Sequence, residues 1–110
     1  MELIRGQIVL AAEPGEFTGK PRPFVVVQSD LFNDVHPSVS LCPLTSGVGG
    51  DHLFRVPLTA SDQTGLDREC EVQVDKVQSL RRHRLTRVIG TVPVTTMTQI
   101  DDALRRWLQL

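Results

Sequence analysis

Short apolar runs alternate with turn-forming residues along most of the chain. They predict strands at residues 4–12, 24–28, 39–45, 53–58, 71–77 and 88–92. The run 24–28 is rich in β-branched residues and uninterrupted, which is typical of a strand buried on both faces, so we expect it at the centre of the sheet. Pro43 has no amide hydrogen, and this predicts that its end of the third strand lies at a sheet edge or a bulge.

The segments between these runs contain residues that favour turns. Residues 13–23 hold two Gly and three Pro, which predicts a partly rigid, exposed loop. The glycine-rich run 47–50 predicts a hairpin loop, and residues 60–67 form a polar connection. Residues 80–85 are too charged for a buried strand and predict a single helical turn.

The C-terminal segment 96–108 has apolar residues at helical spacing, which predicts an amphipathic helix with Trp107 on its buried side. Its first turn has two readings, a capping box between Thr96 and Gln99 or a start at Pro93. Two acid–base pairs four residues apart are expected to bond along its polar side: Asp101–Arg105 and Asp102–Arg106.

Five or six short strands followed by one helix predict a mainly β fold. We expect a small curled antiparallel sheet or barrel, with the helix packed over an opening, as a single domain over residues 1–110. The order of elements contains no alternation of strand and helix that would indicate parallel βαβ units.

Composition narrows the classes of function. Twelve Lys and Arg balance thirteen Asp and Glu, for a net charge of -1, so any nucleic-acid site must be local rather than a property of the whole surface. Aromatic residues make up 5% of the chain and Tyr is absent. This argues against a binding surface built on stacking bases over aromatic rings.

The sequence predicts a cytoplasmic protein. Its apolar runs are far shorter than the ~20 residues of a membrane-spanning helix, and residues 1–12 resemble neither a secretory signal nor a transit peptide. Cys42 and Cys70 lack the spacing of a zinc site, and we expect them to be buried thiols.

The usual catalytic motifs are missing from the sequence. The glycine run 47–50 lacks the Lys-Ser/Thr of a phosphate-binding loop. His36, His52 and His83 fall in predicted loops or polar turns with no spacing that makes them a metal-ligand set. Chemistry based on histidine or a metal is therefore disfavoured, and no cofactor is expected.

Two places remain as candidate sites. Arg22 stands between Pro21 and Pro23, which hold it in an extended conformation at the start of a strand. Thr45 and Ser46 place two hydroxyls at the end of another strand. Each site also has a purely structural explanation: Arg22 is an ordinary surface arginine, and the hydroxyls of Thr45 and Ser46 make ordinary hydrogen bonds at the end of a strand.

The order and spacing of several segments resemble the MazF/PemK toxins of bacterial type II toxin-antitoxin modules. These segments are RGQIV at 5–9, RP at 22–23 before FVVV, QSDLFN at 28–33, CPLTS at 42–46, VDKV at 74–77, IG at 89–90 and the C-terminal helix. The resemblance implies a CcdB/PemK-like fold, an SH3-like barrel, in a homodimeric, metal-independent endoribonuclease. Such toxins cut single-stranded RNA sequence-selectively, leaving 2',3'-cyclic phosphate and 5'-hydroxyl ends, and thereby inhibit translation and growth.

The resemblance also assigns roles to residues. Arg22 and Thr45 match the family's catalytic pair, with Ser46 as a candidate helper. A guanidinium keeps its charge and offers a fork of donors to phosphate oxygens, so Arg22 suits the pentavalent transition state but not general base catalysis. The general base is unassigned, and His36 is one candidate for it.

A second set of residues is expected to bind RNA or the antitoxin, whose disordered acidic C-terminal segment covers the RNA groove in this family. The alternative for the basic members is a solvated, charged turn. The residues are Lys20, Glu16, Lys76, Arg81, Arg82 and Arg84, with Arg87 beside them.

The sequence departs from the family pattern at two places, neither of which includes Arg22 or Thr45. Gln7 replaces the usual Asp, and residues 93–96 replace an acidic or Ser-rich helix start.

Two rival functions share the expected fold. One is a CcdB-like gyrase poison, a class that depends on a Trp near the C-terminus, as Trp107 is here. The other is a non-catalytic SH3-like interaction module, which the scarcity of aromatic residues disfavours.

Overall fold

The structure is a computed structural model that describes residues 1–12, 20–51 and 53–110. The described residues form seven strands and two α-helices. The strands are β1 Gln7–Ala11, β2 Arg22–Val26, β3 Ser38–Ser46, β4 Arg55–Leu58, β5 Cys70–Gln73, β6 Gln78–Arg81 and β7 Leu85–Thr91. The helices are α1 Asp30–Asn33 and α2 Val94–Leu108, and single 3-10 turns cover Val74–Lys76 and Arg82–Arg84.

All strand pairings among the described residues are antiparallel, in the order β4-β5-β3-β2-β1-β7, with β6 paired to the first half of β3. The predicted mainly β fold with a C-terminal helix is therefore confirmed, with one or two strands more than expected. β2 lies between β1 and β3, and Phe24, Val25 and Val26 are fully buried. The central position predicted for this strand is also confirmed.

The core consists of two clusters on opposite faces of the central strands. Alternate residues of β2 belong to different clusters, because successive side chains of a strand point to opposite faces. Strands β7, β1, β2, β3 and β6 curl around the barrel cluster, which is Leu3, Val9, Ala11, Phe24, Val26, Val39, Leu41, Leu80 and Leu85. The helix cluster lies between β3, β4, β5 and α2, and it includes Ile100 and Ala103 of α2.

Strand β3 belongs to both parts of the sheet. On one edge it pairs with β2, and on the other it pairs first with β6, over Ser38–Leu41, and then with β5, over Leu44–Ser46. Pro43 falls in the gap between these two partners. Our expectation of a sheet edge or bulge at Pro43 was wrong, since the missing amide hydrogen is accommodated where a central strand changes partners.

The glycine-rich run 47–50 is not a hairpin loop. β5 lies between β3 and β4 in the sheet, so the connection after Ser46 crosses one strand before β4 begins. A run of glycine identifies a turn-forming segment but carries no information on which strands the segment joins.

The charged stretch after β5 also differs from the prediction. The strand predicted over 71–77 ends at Gln73, and Val74–Lys76 forms a 3-10 turn whose Val74 amide donates to the Phe54 carbonyl. The predicted turn over 80–85 is shorter, Arg82–Arg84, because β6 extends to Arg81. Leu80 points into the barrel cluster while its charged neighbours face solvent.

Helix α2 begins at Val94 with Pro93 as its N-cap residue, so Thr96 lies inside the helix and the capping-box reading was wrong. The two predicted ion pairs were wrong as well. Asp101 binds Arg5 at 2.7 Å instead of Arg105. Asp102 binds Arg105 at 2.9 Å, while Arg106 donates to the Leu53 carbonyl.

Trp107 is 46% exposed, so its predicted core position was wrong. Its ring meets Phe54 edge-on at a centroid distance of 5.1 Å.

Cys42 and Cys70 are buried free thiols, as predicted. In the part of the chain that the structure describes, neither α-helix has the length and hydrophobicity needed to cross a bilayer.

Candidate active site

An open cleft of about 520 Å³ lies where β2 begins and β3 ends. Phe24 pairs with Pro43 across these antiparallel strands. Continuing this register by two residues sets Arg22 opposite Thr45, and opposite positions of an antiparallel pair share a sheet face. Both residues line the cleft, so the fold brings together the two side chains that the sequence singled out.

The local backbone holds Arg22 in place. Arg22 is the first residue of β2 and pairs with Ala11 of β1, which confirms the extended conformation predicted from its flanking prolines. Its side chain is exposed. Pro21 and Pro23 line the cleft on either side of it, so Arg22 stands between two rigid residues at the cleft wall.

The hydroxyl-bearing wall is equally well anchored. Thr45 pairs with Glu71 and Ser46 pairs with Cys70 of β5. Thr45 is half-buried and Ser46 is exposed, and both line the cleft. The Gly47 amide then donates to the Glu69 carbonyl at 3.0 Å, which fixes the chain directly beyond the two hydroxyls.

A third wall comes from residues that sequence reasoning missed. Leu66, Asp67 and Arg68 line the cleft next to Cys70, on the β5 side of β3. The sequence classed residues 60–67 as a plain polar connection. Their place follows from the pairing of Ser46 with Cys70, which puts the residues directly before Cys70 beside the chain that leaves Ser46. The sequence contains no local signal of this pairing.

Glu71 is a buried carboxylate beside the candidate hydroxyls. It is 5% exposed, and its Oε1 accepts a 2.6 Å hydrogen bond from the Gly49 amide. Since Glu71 pairs with Thr45, this bond ties the glycine-rich connection to the strand next to Thr45. A charge-assisted hydrogen bond of this kind offsets part of the cost of burying the carboxylate.

His36 is far from the cleft. It precedes Ser38, whose amide donates to His36 Nδ1 at 3.1 Å, and Ser38 begins β3. Thr45 lies at the opposite end of the same strand. The suggestion that His36 reaches the site was therefore wrong, because a loop between the second and third strands joins the end of β3 that points away from the cleft.

The predicted binding residues separate into two places. Lys20 lines the cleft, whereas the basic residues near β6 do not. Arg81 pairs with Ser38, at the end of β3 remote from Thr45. The residues outside the cleft are Lys76, Arg81, Arg82 and Arg84, and Glu16 lies outside the described residues.

Two groups on or directly after β5 have shifted pKa values. Arg55 binds Asp75 through both carboxylate oxygens, at 2.9 and 3.2 Å, and this hydrogen bonding lowers the pKa of Asp75 below its usual range. Burial raises the pKa of the Cys70 thiol, which lines the cleft. A buried thiol of raised pKa is a poor nucleophile. Within the described ranges, no three His, Cys, Asp or Glu side chains are grouped to hold a metal ion.

Comparison with known proteins identifies the class to which this barrel and cleft belong. Residues 4–108 match the model of the PemK-like, MazF-like toxins of type II toxin-antitoxin systems. The match covers nearly the whole chain, and the chain therefore belongs to this family.

Relatives and solved structures agree with this assignment. The chain is 37% identical over 100 residues to the probable endoribonuclease MazF of Mycolicibacterium smegmatis, covering 91% of each chain. A mycobacterial endoribonuclease solved in complex with its cognate antitoxin superposes with a TM-score of 0.81 at 25% identity, over 98% of this chain and 96% of that one. A chain of a MazE-MazF crystal structure from Deinococcus radiodurans superposes with a TM-score of 0.82 at 26% identity, over 100% of this chain and 98% of that one.

Proposed function

We propose that this protein is the toxin of a type II toxin-antitoxin system and a sequence-selective, metal-independent endoribonuclease. The observation that carries the proposal is that Arg22 and Thr45 line one open cleft from the neighbouring strands β2 and β3. The family membership and the endoribonuclease relatives support the same activity. Residues 1–110 act as one toxin domain.

In the proposed reaction, RNA supplies its own nucleophile. The 2'-oxygen passes its proton to water and bonds to phosphorus, the bond from phosphorus to the 5'-oxygen breaks, and the leaving oxygen takes a proton from water. The products are a 2',3'-cyclic phosphate and a 5'-hydroxyl. The enzyme therefore has to align the strand, stabilise charge on the phosphorane and move protons.

Arg22 and Thr45 fit the charge-stabilising part of this task. The Arg22 guanidinium stays charged and donates hydrogen bonds to the non-bridging phosphate oxygens and to the leaving 5'-oxygen, while the Thr45 hydroxyl donates to the same phosphate. Ser46, exposed beside Thr45, is the supporting donor. Preorganised donors of this kind contribute about 2.7–4 kcal/mol each by analogy with oxyanion holes.

The partners follow from the same surface. The substrate is single-stranded RNA, and an antitoxin with a disordered acidic segment blocks the cleft in the proposed complex; a mycobacterial relative is solved with its cognate antitoxin. The toxin acts as a homodimer in the cytoplasm. Lys20, at the cleft, contacts the RNA backbone. Glu16 stays a predicted binding residue that lies outside the described residues.

The basic residues outside the cleft bind the acidic antitoxin segment or the outer part of a long RNA. They are Lys76, Arg81, Arg82 and Arg84, with Arg87. Among the described residues, Arg81, Arg84 and Arg87 form no ion pair with a carboxylate. Unpaired surface cations are available to a polyanion.

Cleavage in the presence of EDTA tests the proposal. The purified protein is incubated with a long single-stranded mRNA, and the new ends are mapped beside Arg22→Ala and a control, Arg105→Gln, whose arginine lies on α2 away from the cleft. We expect site-specific cuts from the parent and the control and none from Arg22→Ala. Cuts that need added metal, or that survive Arg22→Ala, would refute the mechanism.

A CcdB-like gyrase poison is the second candidate function, and the half-exposed ring of Trp107 near the C-terminus favours it. Supercoiling by DNA gyrase in the presence of the protein separates the two. Inhibition of gyrase without RNA cleavage would support the second candidate, and RNA cleavage without inhibition supports the nuclease.

A further inference from the structure

Arg68 lines the same cleft as Arg22, on the β5 side of β3, whereas Arg22 lies on the β2 side. Its side chain is 69% exposed, and its ion-pair partner is the neighbouring Asp67 at 3.5 Å, itself 89% exposed. A long pair between exposed groups contributes little, because water and salt screen it. The guanidinium of Arg68 is thus free to exchange this carboxylate for another anion.

The backbone that presents Arg68 is tightly held. The buried Thr64 hydroxyl donates to the Thr59 carbonyl and accepts from the amides of Ser61 and Leu66. Beyond Arg68, the Glu69 carbonyl accepts from the Gly47 amide, and β5 begins at Cys70. Arg68 therefore projects from a segment fixed on both sides.

Glycines let this segment pack directly against β7. A side-chain carbon at Gly90 would overlap the Thr64 carbonyl, and one at Gly65 would overlap the Ile89 carbonyl. The Thr91 amide donates to the Gln63 carbonyl at 2.9 Å across the same contact. Backbones that approach this closely leave little freedom for the segment to move away from the cleft.

We propose that Arg68 binds the RNA phosphate next to the scissile one, and that Asp67 weakens this contact by competing for the guanidinium. This inference rests on the proposed function. Arg22 lies on β2 and Arg68 just before β5, on either side of β3, and both line the cleft with Thr45. A strand held at Arg22 and Thr45 therefore brings a neighbouring phosphate to Arg68. The Arg68 guanidinium can donate to two oxygens of this phosphate. Because the phosphate does not react, the contact stabilises the bound substrate and the transition state equally.

Steady-state cleavage of a short RNA that contains one mapped cut site tests the inference. The variants are Arg68→Gln and Asp67→Asn. The controls are Arg105→Gln and Asp102→Asn, which alter another exposed pair, with side chains 61% and 57% exposed. This pair lies on α2, outside the cleft, with an N–O distance of 2.9 Å. The rates are measured over a range of salt concentrations.

We expect Arg68→Gln to raise KM about tenfold with kcat nearly unchanged, the loss typical of one charge-assisted hydrogen bond. The slope of log(kcat/KM) against log salt should become shallower by about 0.7, the value for one phosphate contact to a single strand. Asp67→Asn should lower KM, and the control variants should match the parent.

Two results would overturn the inference. One is an Arg68→Gln variant with the KM and salt slope of the controls; the other is a loss confined to kcat. Either result, obtained with a parent that cuts RNA and an Arg22→Ala variant that does not, removes the role of Arg68 and leaves the proposed function intact. A parent that cuts no RNA refutes both.

Discussion

The carboxylate of Glu71 and the amide of Gly49 are joined by a 2.6 Å hydrogen bond that fastens the connection after β3 onto β5. Glu71 is nearly fully buried and pairs with Thr45. The Glu71 side chain therefore helps to position the candidate hydroxyls at the end of β3, because it binds the backbone amide of Gly49 just beyond them.

Glu71→Ala is expected to lower the free energy of unfolding by about 1.5–3 kcal/mol, the range for a hydrogen bond to a charged group. Glu71→Gln keeps an oxygen acceptor for the Gly49 amide and should lose less. Urea titration followed by circular dichroism measures both variants. Equal losses would mean that the bond to Gly49 is not what stabilises this strand.

Gly90→Ala should destabilise the protein by about 1–3 kcal/mol, because the added carbon overlaps the Thr64 carbonyl and forces the backbones apart. Gly50→Ala is the matched control, since open space surrounds that position. Thermal unfolding of the two variants provides the comparison. A Gly90→Ala variant as stable as Gly50→Ala would show that β7 and the 59–66 segment are not in close contact.

Stability at acidic pH should depend on Asp75. Its pKa is lowered by hydrogen bonding from Arg55, so the folded state favours the ionised carboxylate. The stabilisation is fully present above the ordinary aspartate pKa of about 3.9 and is lost as the pH falls through the lowered value. Both side chains are about a quarter exposed, and solvent screening keeps the effect modest.

The free energy of unfolding measured from pH 7 to pH 2 checks this expectation. Asp75→Asn should flatten the curve at its acidic end, and Arg55→Gln should flatten it similarly by removing the partner. A curve for Asp75→Asn parallel to that of the parent would contradict the role of the pair.

Cys42 should resist alkylation in the folded protein. Burial raises the pKa of its thiol to about 12, and the thiolate is the reactive form. At pH 8, iodoacetamide should label Cys42 much more slowly in the native state than in guanidinium chloride, as followed by mass spectrometry of the peptides. Equal rates would mean that Cys42 is accessible.

Hydrophobic pattern was sufficient to predict the central strand β2 and the helix α2, because burial on both faces and a helical stripe leave periods that need no knowledge of neighbours. The sequence contains no comparable pattern that identifies which strands pair with each other. The connection through Gly49 looks like a hairpin loop until β5 is known to lie between β3 and β4. Likewise, Asp101 binds Arg5 from the other end of the chain in place of its helical neighbour Arg105.

The candidate site was partly predictable for the same reason. The prolines around Arg22 and the hydroxyls at the end of β3 are local signals, and the register of β2 with β3 joins them. Arg68 has no local signal, because its place in the cleft depends on the packing of Thr64 and Gly65 against β7. His36 was proposed for the site because the sequence does not show which end of β3 lies at the cleft.

The most direct test of the account compares two short RNAs, one with a 2'-hydroxyl and one with a 2'-deoxy sugar at the mapped cut site, in EDTA under single-turnover conditions. The parent should cut only the first and leave a 2',3'-cyclic phosphate. Arg22→Ala should reduce the rate by at least about 10³-fold, and Thr45→Val by about 10²–10³-fold. Cleavage of the 2'-deoxy substrate, or parental rates from either variant, would contradict the claim that Arg22 and Thr45 act on one scissile phosphate.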